Sequence, residues 1–207
     1  MSIQQVEVSI QRYPEISLEE EWKRQVDVMT KIFAPSLNIS PTAYIESLPK
    51  FPSKPENYDD LHLVKPLLVE TRIPWHIQAE LSGIDISGYL TSRIDEVSEV
   101  KDIVIPKKPY GIWIQDETIY SEKKPVVIQN FQPDERGGTM FEGIAQWNAY
   151  PGAVIRKCID LVGSRVGEDG IPYMYFWYGN PLLDYHTPDY APPHLHPIIS
   201  GREISIK

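Results

Sequence analysis

The sequence predicts an α+β fold, with a helical N-terminal half packed on a mostly antiparallel sheet built largely from the C-terminal half. Three observations carry this expectation. An apolar stripe of helical period runs from Leu18 to Phe33, and strict alternation begins at Tyr110. Beyond Cys158 the strand candidates follow one another through short turns rather than crossover helices. Apolar content of 42% and charge of 24% are ordinary globular values, which excludes global disorder. Nineteen prolines in 207 residues are roughly twice the usual ~5%, so extended segments and stiff turns should occupy much of the chain. One domain, 1–207, is expected, and a subdivision would fall near 102–109, the region of Pro106 and Pro109.

Taken in order, residues 2–10 alternate loosely and read as a short strand. Ser17 with Glu20 three places on forms a capping box, and Glu19, Glu20 and Glu21 suit the positive end of a helix dipole. Leu18, Trp22, Val26, Met29 and Phe33 share one helical face until Pro35 stops the run. That face reads as core, with a groove for a partner helix as the sharper alternative. Ser40 and Pro41 open a short helix over 42–48, and prolines 49, 52 and 55 make an extended connector. Residues 67–69 read as a short buried strand beside Pro66. Pro74 starts a helix through Leu81 that Gly83 ends. The charged stretch 91–102 reads as an exposed helix. Tyr110, Ile112 and Ile114 mark a strand that turns at Asp116 and Glu117 into another over 118–120. Further strands are expected at 159–162, 173–178 and 203–206.

Twenty basic against 29 acidic residues give a net charge of −9. Nucleic acid is therefore not the expected partner, because that binding is driven by Lys and Arg neutralising phosphates. An anionic membrane surface is disfavoured for the same reason. The first twelve residues lack a basic start and an apolar run, so no signal peptide is read there. No stretch of about 18 apolar residues occurs, so no membrane span is expected. Cys158 is the single cysteine, and these features together point to a cytoplasmic protein.

Several motifs carry chemistry. Arg136, Gly137 and Gly138 lead into Thr139, with Glu142 three residues later as a second capping box. Glycines before a helix start let the backbone approach a ligand, and the unpaired amides there attract anions. Arg136, Gly137, Gly138 and Thr139 are thus a candidate anion site; the plainer alternative is a turn in which Arg136 pairs with Asp134 or Glu135. Three of the five histidines, His186, His194 and His196, lie within eleven residues, with Asp184 beside them. Residues two apart in an extended segment share a side, so Asp184 with His186, and His194 with His196, form two same-face pairs. Such a set suits zinc, iron or manganese, and a metal-bound water would supply a nucleophile near neutral pH. The bland alternative is a proline-rich surface loop. Tyr173, Tyr175 and Trp177 lie on one face of their strand, as core or as a platform for a partner. Cys158 follows Arg156 and Lys157, whose charge would favour a thiolate; the alternative is a core thiol. Ser164 lacks the frame of a nucleophile elbow.

The segments 133–143, 161–166 and 172–185 resemble small bacterial proteins grouped only as a domain of unknown function. The resemblance spans residues 66–187 and implies no activity, cofactor or catalytic residue. The first functional expectation is a non-catalytic cytoplasmic protein that binds another protein or a small anionic ligand and needs no cofactor. The alternative is a metal-dependent hydrolase or oxygenase using Asp184, His186, His194 and His196.

Overall fold

Ser17 caps the first helix as its sequence indicates: the Glu20 amide donates to Ser17 Oγ, and the Ser17 amide returns to the Glu20 carboxylate at 2.9 Å. This computed structural model describes residues 16–92, 97–98, 106–116, 131–190 and 195–207. Helix α1 (Leu18–Phe33) buries Trp22, Met29 and Phe33, while Leu18 stays exposed, so most of the stripe is core. Ser40 and Pro41 open α2 (Pro41–Ser47), whose Tyr44 joins the same cluster. After the connector come β1 (Leu63–Val69), α3 (Trp75–Leu81) and a turn at Gly83 with φ +67°. β2 (Asp85–Ile86) and α4 (Gly88–Thr91) follow, then β3 (Val97–Ser98) and β4 (Tyr110–Gln115).

The second half supplies β5 (Glu135–Gly137), α5 (Met140–Ala149), α6 (Pro151–Arg156), β6 (Cys158–Asp160) and β7 (Arg165–Val166). It continues with β8 (Ile171–Trp177), β9 (Asn180–His186), β10 (Leu195–Pro197), β11 (Ile199–Gly201) and β12 (Ser205–Ile206). The fold is α+β with antiparallel pairing dominant. Among the described residues, the strands form two five-stranded sheets and a β3–β7 pair rather than one sheet. The first sheet runs β1-β4-β11-β5, with β12 also on β4, and is antiparallel throughout. The second runs β10-β6-β8-β9-β2, with parallel pairs only at its two edges. One apolar cluster joins residues of both sheets (Leu67, Ile112, Met174, Leu183) to α5 and α6. A second, under α1 and α2, covers the other face of β1 at Leu68.

Two expectations need correction. The charged stretch 91–102 is not a helix where it is described: α4 ends at Thr91, and Val97 and Ser98 pair with Val166 and Arg165 as strand. β1 is longer than the three residues expected and runs through Pro66. It lies at the sheet edge, where a missing N–H breaks no ladder. Gln25 of α1 covers that edge, donating to Pro66 O at 2.9 Å and accepting the Leu68 amide at 2.9 Å. The strands expected at 2–10 and 118–120 lie outside the described residues.

Candidate functional site

The Arg-Gly-Gly turn is built by close packing. A Cβ at Gly137 would stand 2.3 Å from Val162 Cγ2, and one at Gly163 would stand 2.5 Å from Gly137 O. Only glycine lets these two turns touch. Arg136 is buried and meets Glu142, not Asp134 or Glu135: Nη1 and Nη2 donate to the two carboxylate oxygens at 2.9 and 2.5 Å. Tyr110 Oη, Ser200 Oγ and the Thr139 amide donate to the same carboxylate. Burial alone would push Glu142 up, but Arg136 and these donors hold it below the usual carboxylate range. The Gly138 amide donates to Ile198 O and the Met140 amide to Ser164 Oγ. The anion that this cradle holds is therefore the chain's own Glu142.

Asp184 and His186 do share a face of β9, each with a partner of its own. Asp184 accepts from Ser87 Oγ at 2.6 Å. His186 Nδ1 lies 2.9 Å from Thr187 O and Nε2 lies 2.9 Å from Asp160 Oδ1. A carbonyl only accepts, so Nδ1 carries a hydrogen, and a proton must also lie between Nε2 and Asp160. Burial pushes the Asp160 carboxyl up. Burial acts downward on His186, but Asp160 and Thr187 O outweigh it and raise the imidazole. Both shifts retain that proton. Register aligns His196 with Ile159, and through it with Met174 on β8. Asp160, Tyr173 and Asp184 are aligned on the opposite face. The described strands thus place His186 and His196 on different faces of the sheet, and His194 lies outside the described residues. Among the described residues, no three His, Cys, Asp or Glu side chains group so as to hold a metal.

The aromatic residues of β8 do come together. Tyr173 and Tyr175 stack with centroids 5.3 Å apart and planes at 19°, and Trp177 meets Tyr175 edge-on at 6.1 Å. At one end the row touches His186; at the other it continues to Tyr178, whose ring lies 4.9 Å from Trp177. Tyr178 and Gly179 make the two-residue β8–β9 turn with φ +46° and +96°, a turn type that favours Asn-Gly. Tyr173 and Tyr175 are half-buried, Trp177 is 56% exposed and Tyr178 is 92% exposed.

Cys158 is partly exposed, and burial pushes its thiol up, away from the thiolate that neighbouring charges suggested. Ser164 is buried and spent on the Met140 amide. Asp160 is the site residue that the sequence reading passed over. A single carboxylate inside Cys158-Ile159-Asp160-Leu161-Val162 was the available signal, since a charge in an apolar run is retained only with a partner. Comparisons with protein-family models, curated proteins and solved structures found no match for this chain. No helix among the described residues is long and apolar enough to cross a membrane.

Proposed function

We propose that this chain is a non-catalytic, cytoplasmic binding domain that engages its partner through the aromatic row Tyr173, Tyr175, Trp177 and Tyr178. The observation that carries the reading is Tyr178. A bulky aromatic at a left-handed turn position is unfavourable, and leaving its ring almost wholly exposed wins nothing back from burial. Backbone strain kept at an exposed aromatic tip is characteristic of a contact surface rather than of a stabilising turn. Tyr and Trp supply large contact area at low side-chain entropy cost, which suits them to recognition. The stacked neighbours hold the rings in place before a partner arrives.

The test compares immobilised wild-type protein with the Trp177→Ser/Tyr178→Asn variant in extract of the native host. A stoichiometric partner retained by the first and lost by the second supports the reading. Identical retention by both, or turnover of a small ester or phosphate by a protein that retains nothing, overturns it.

A further inference from the structure

We propose that the sheet face carrying Tyr173, Tyr175 and Trp177 docks a Lys- or Arg-bearing segment of a partner protein, with one cation at Asp184 and a second at the corner between Trp177 and Tyr178. The inference rests on the binding reading of that row, and it names the chemistry of the partner.

Strand register sets the elements of this surface side by side. Tyr173 lies opposite Asp184 of β9, Tyr175 opposite Leu182, and Leu182 opposite Asp85 of β2. On its other flank Tyr173 is aligned with Asp160 of β6. The described strand positions of this face thus bring three aspartates, and no lysine or arginine, beside the aromatic row. Asp160 is matched from inside the fold, by His186 at 2.9 Å and by the nearby charge of Arg165. Asp184 is not. Its two bonds, from Ser87 Oγ and the Tyr185 amide, come from neutral donors and both fall on Oδ1. Its Oδ2 accepts none among the described residues, and is not one of the atoms sealed from solvent. Asp85 is exposed and takes a neutral donor, Asn180 Nδ2, at 3.1 Å.

The rings supply the second cation site. An ammonium or guanidinium is attracted to the face of Trp or Tyr, and Trp177 and Tyr178 stand at 78° to each other as a corner open to solvent. Arg156, two residues before β6, lays its guanidinium back over α6, 3.4 Å from where a Gly152 Cβ would stand. Helix α6 packs on the other face of the sheet, where Val154 and Met174 share a cluster. Tyr173 and Trp177 are four strand residues apart, so Asp184 and the corner are separated by about 13 Å. An extended segment spans that distance with two cations four residues apart. An acidic segment would instead meet Asp184 and Asp85 as like charges, and the net charge of −9 draws a basic partner from a distance.

Calorimetric titration of hexaarginine into the full chain should show saturable binding that hexaglutamate lacks. Asp184→Asn, which keeps an acceptor for Ser87 Oγ, and Trp177→Ser should each weaken that binding about fivefold. Asp27→Asn/Glu46→Gln removes two exposed charges on α1 and α2 and should leave it unchanged, which separates this face from general attraction to an acidic chain. Equal weakening by that remote pair, or none by Asp184→Asn, would overturn the assignment. If Asp184→Asn does not fold, Trp177→Ser decides, and unaltered affinity in it overturns the assignment. Absence of hexaarginine binding overturns it too. Loss of the host partner from the Trp177→Ser/Tyr178→Asn variant would then leave the aromatic-row reading in place with a partner of other chemistry.

Discussion

Arg136 and Glu142, six residues apart across the β5–α5 junction, meet with both guanidinium Nη atoms on both carboxylate oxygens in a site closed to water. The two sides of the pair are unequally supported. Glu142 has three further donors in Tyr110, Ser200 and Thr139, whereas the guanidinium donates outside the pair to Gly137 O, and its Nε has no partner among the described residues.

That asymmetry ranks two substitutions. Glu142→Leu leaves a buried cation and three orphaned donors, and should cost about 3–5 kcal/mol. Arg136→Met leaves a carboxylate that still has donors, and should cost less. Urea denaturation of both variants at neutral pH measures the order, and the reverse order would refute the account. Because Glu142 is held below its ordinary range, its contribution is full above the ordinary carboxylate pKa and is lost as pH falls through the lowered native value.

The proton between Asp160 and His186 sets a pH dependence of opposite sign. Unfolded histidine releases its proton near 6.5, whereas the native imidazole is raised. Above that pH the folded chain holds a proton that the unfolded chain has lost, so stability falls as pH rises. Asp160→Asn replaces the proton with an amide N–H donating to a neutral imidazole, and should flatten the slope of unfolding free energy as pH rises above the ordinary histidine value of 6.5. An unchanged slope in the variant would place the dependence elsewhere.

Glycine at 137 is required by contact, not by φ. Gly137→Ala drives its Cβ into Val162 and the Gly163 backbone, and should destabilise by about 1–3 kcal/mol. Gly88→Ala meets nothing within 4 Å and should be neutral or stabilising by about 0.4–1 kcal/mol through the unfolded chain. Thermal melts of the two variants, shifting in different directions, check the contrast.

Tyr178→Asn places a residue suited to the left-handed turn at the β8–β9 tip. It should raise stability by roughly 0.5–1 kcal/mol while weakening partner binding, a trade expected where strain serves contact. If the variant is less stable than wild type, Tyr178 contributes to the fold and the functional reading of its strain fails.

The parts legible in the sequence were those decided locally. α1, α2 and α5 carry their periodicity, caps and proline stops within their own residues, so Ser17, Ser40 and Thr139 mark their starts correctly. β5, β10 and β11 are three residues each, and are strands only because distant segments lie beside them. Ile199–Gly201 gains its identity from β4 and β5 on either side. The candidate sites divide the same way. Glu142 was visible as a capping partner, but its second role depends on Tyr110 and Ser200 arriving from other strands. The nearer acids were unsuitable partners for Arg136, because Asp134 accepts from Asn57 and Glu135 from the Gln132 amide. The aromatic row was legible because spacing by two on one strand is a local fact.

β10 and β11 are separated by Ile198 alone, and they belong to different sheets. The Ile198 amide donates to Asp160 O and its carbonyl accepts from Gly138, so one residue stitches the histidine side of the molecule to the arginine side. During synthesis β5 has no neighbour in its sheet, and β6 lacks its outer partner, until residues 195–201 emerge from the ribosome. A nascent chain halted before that point would show both unpaired edges at once to chaperones and to other chains. Pairing of β5 and of the outer edge of β6 is then a single late event governed by seven consecutive residues.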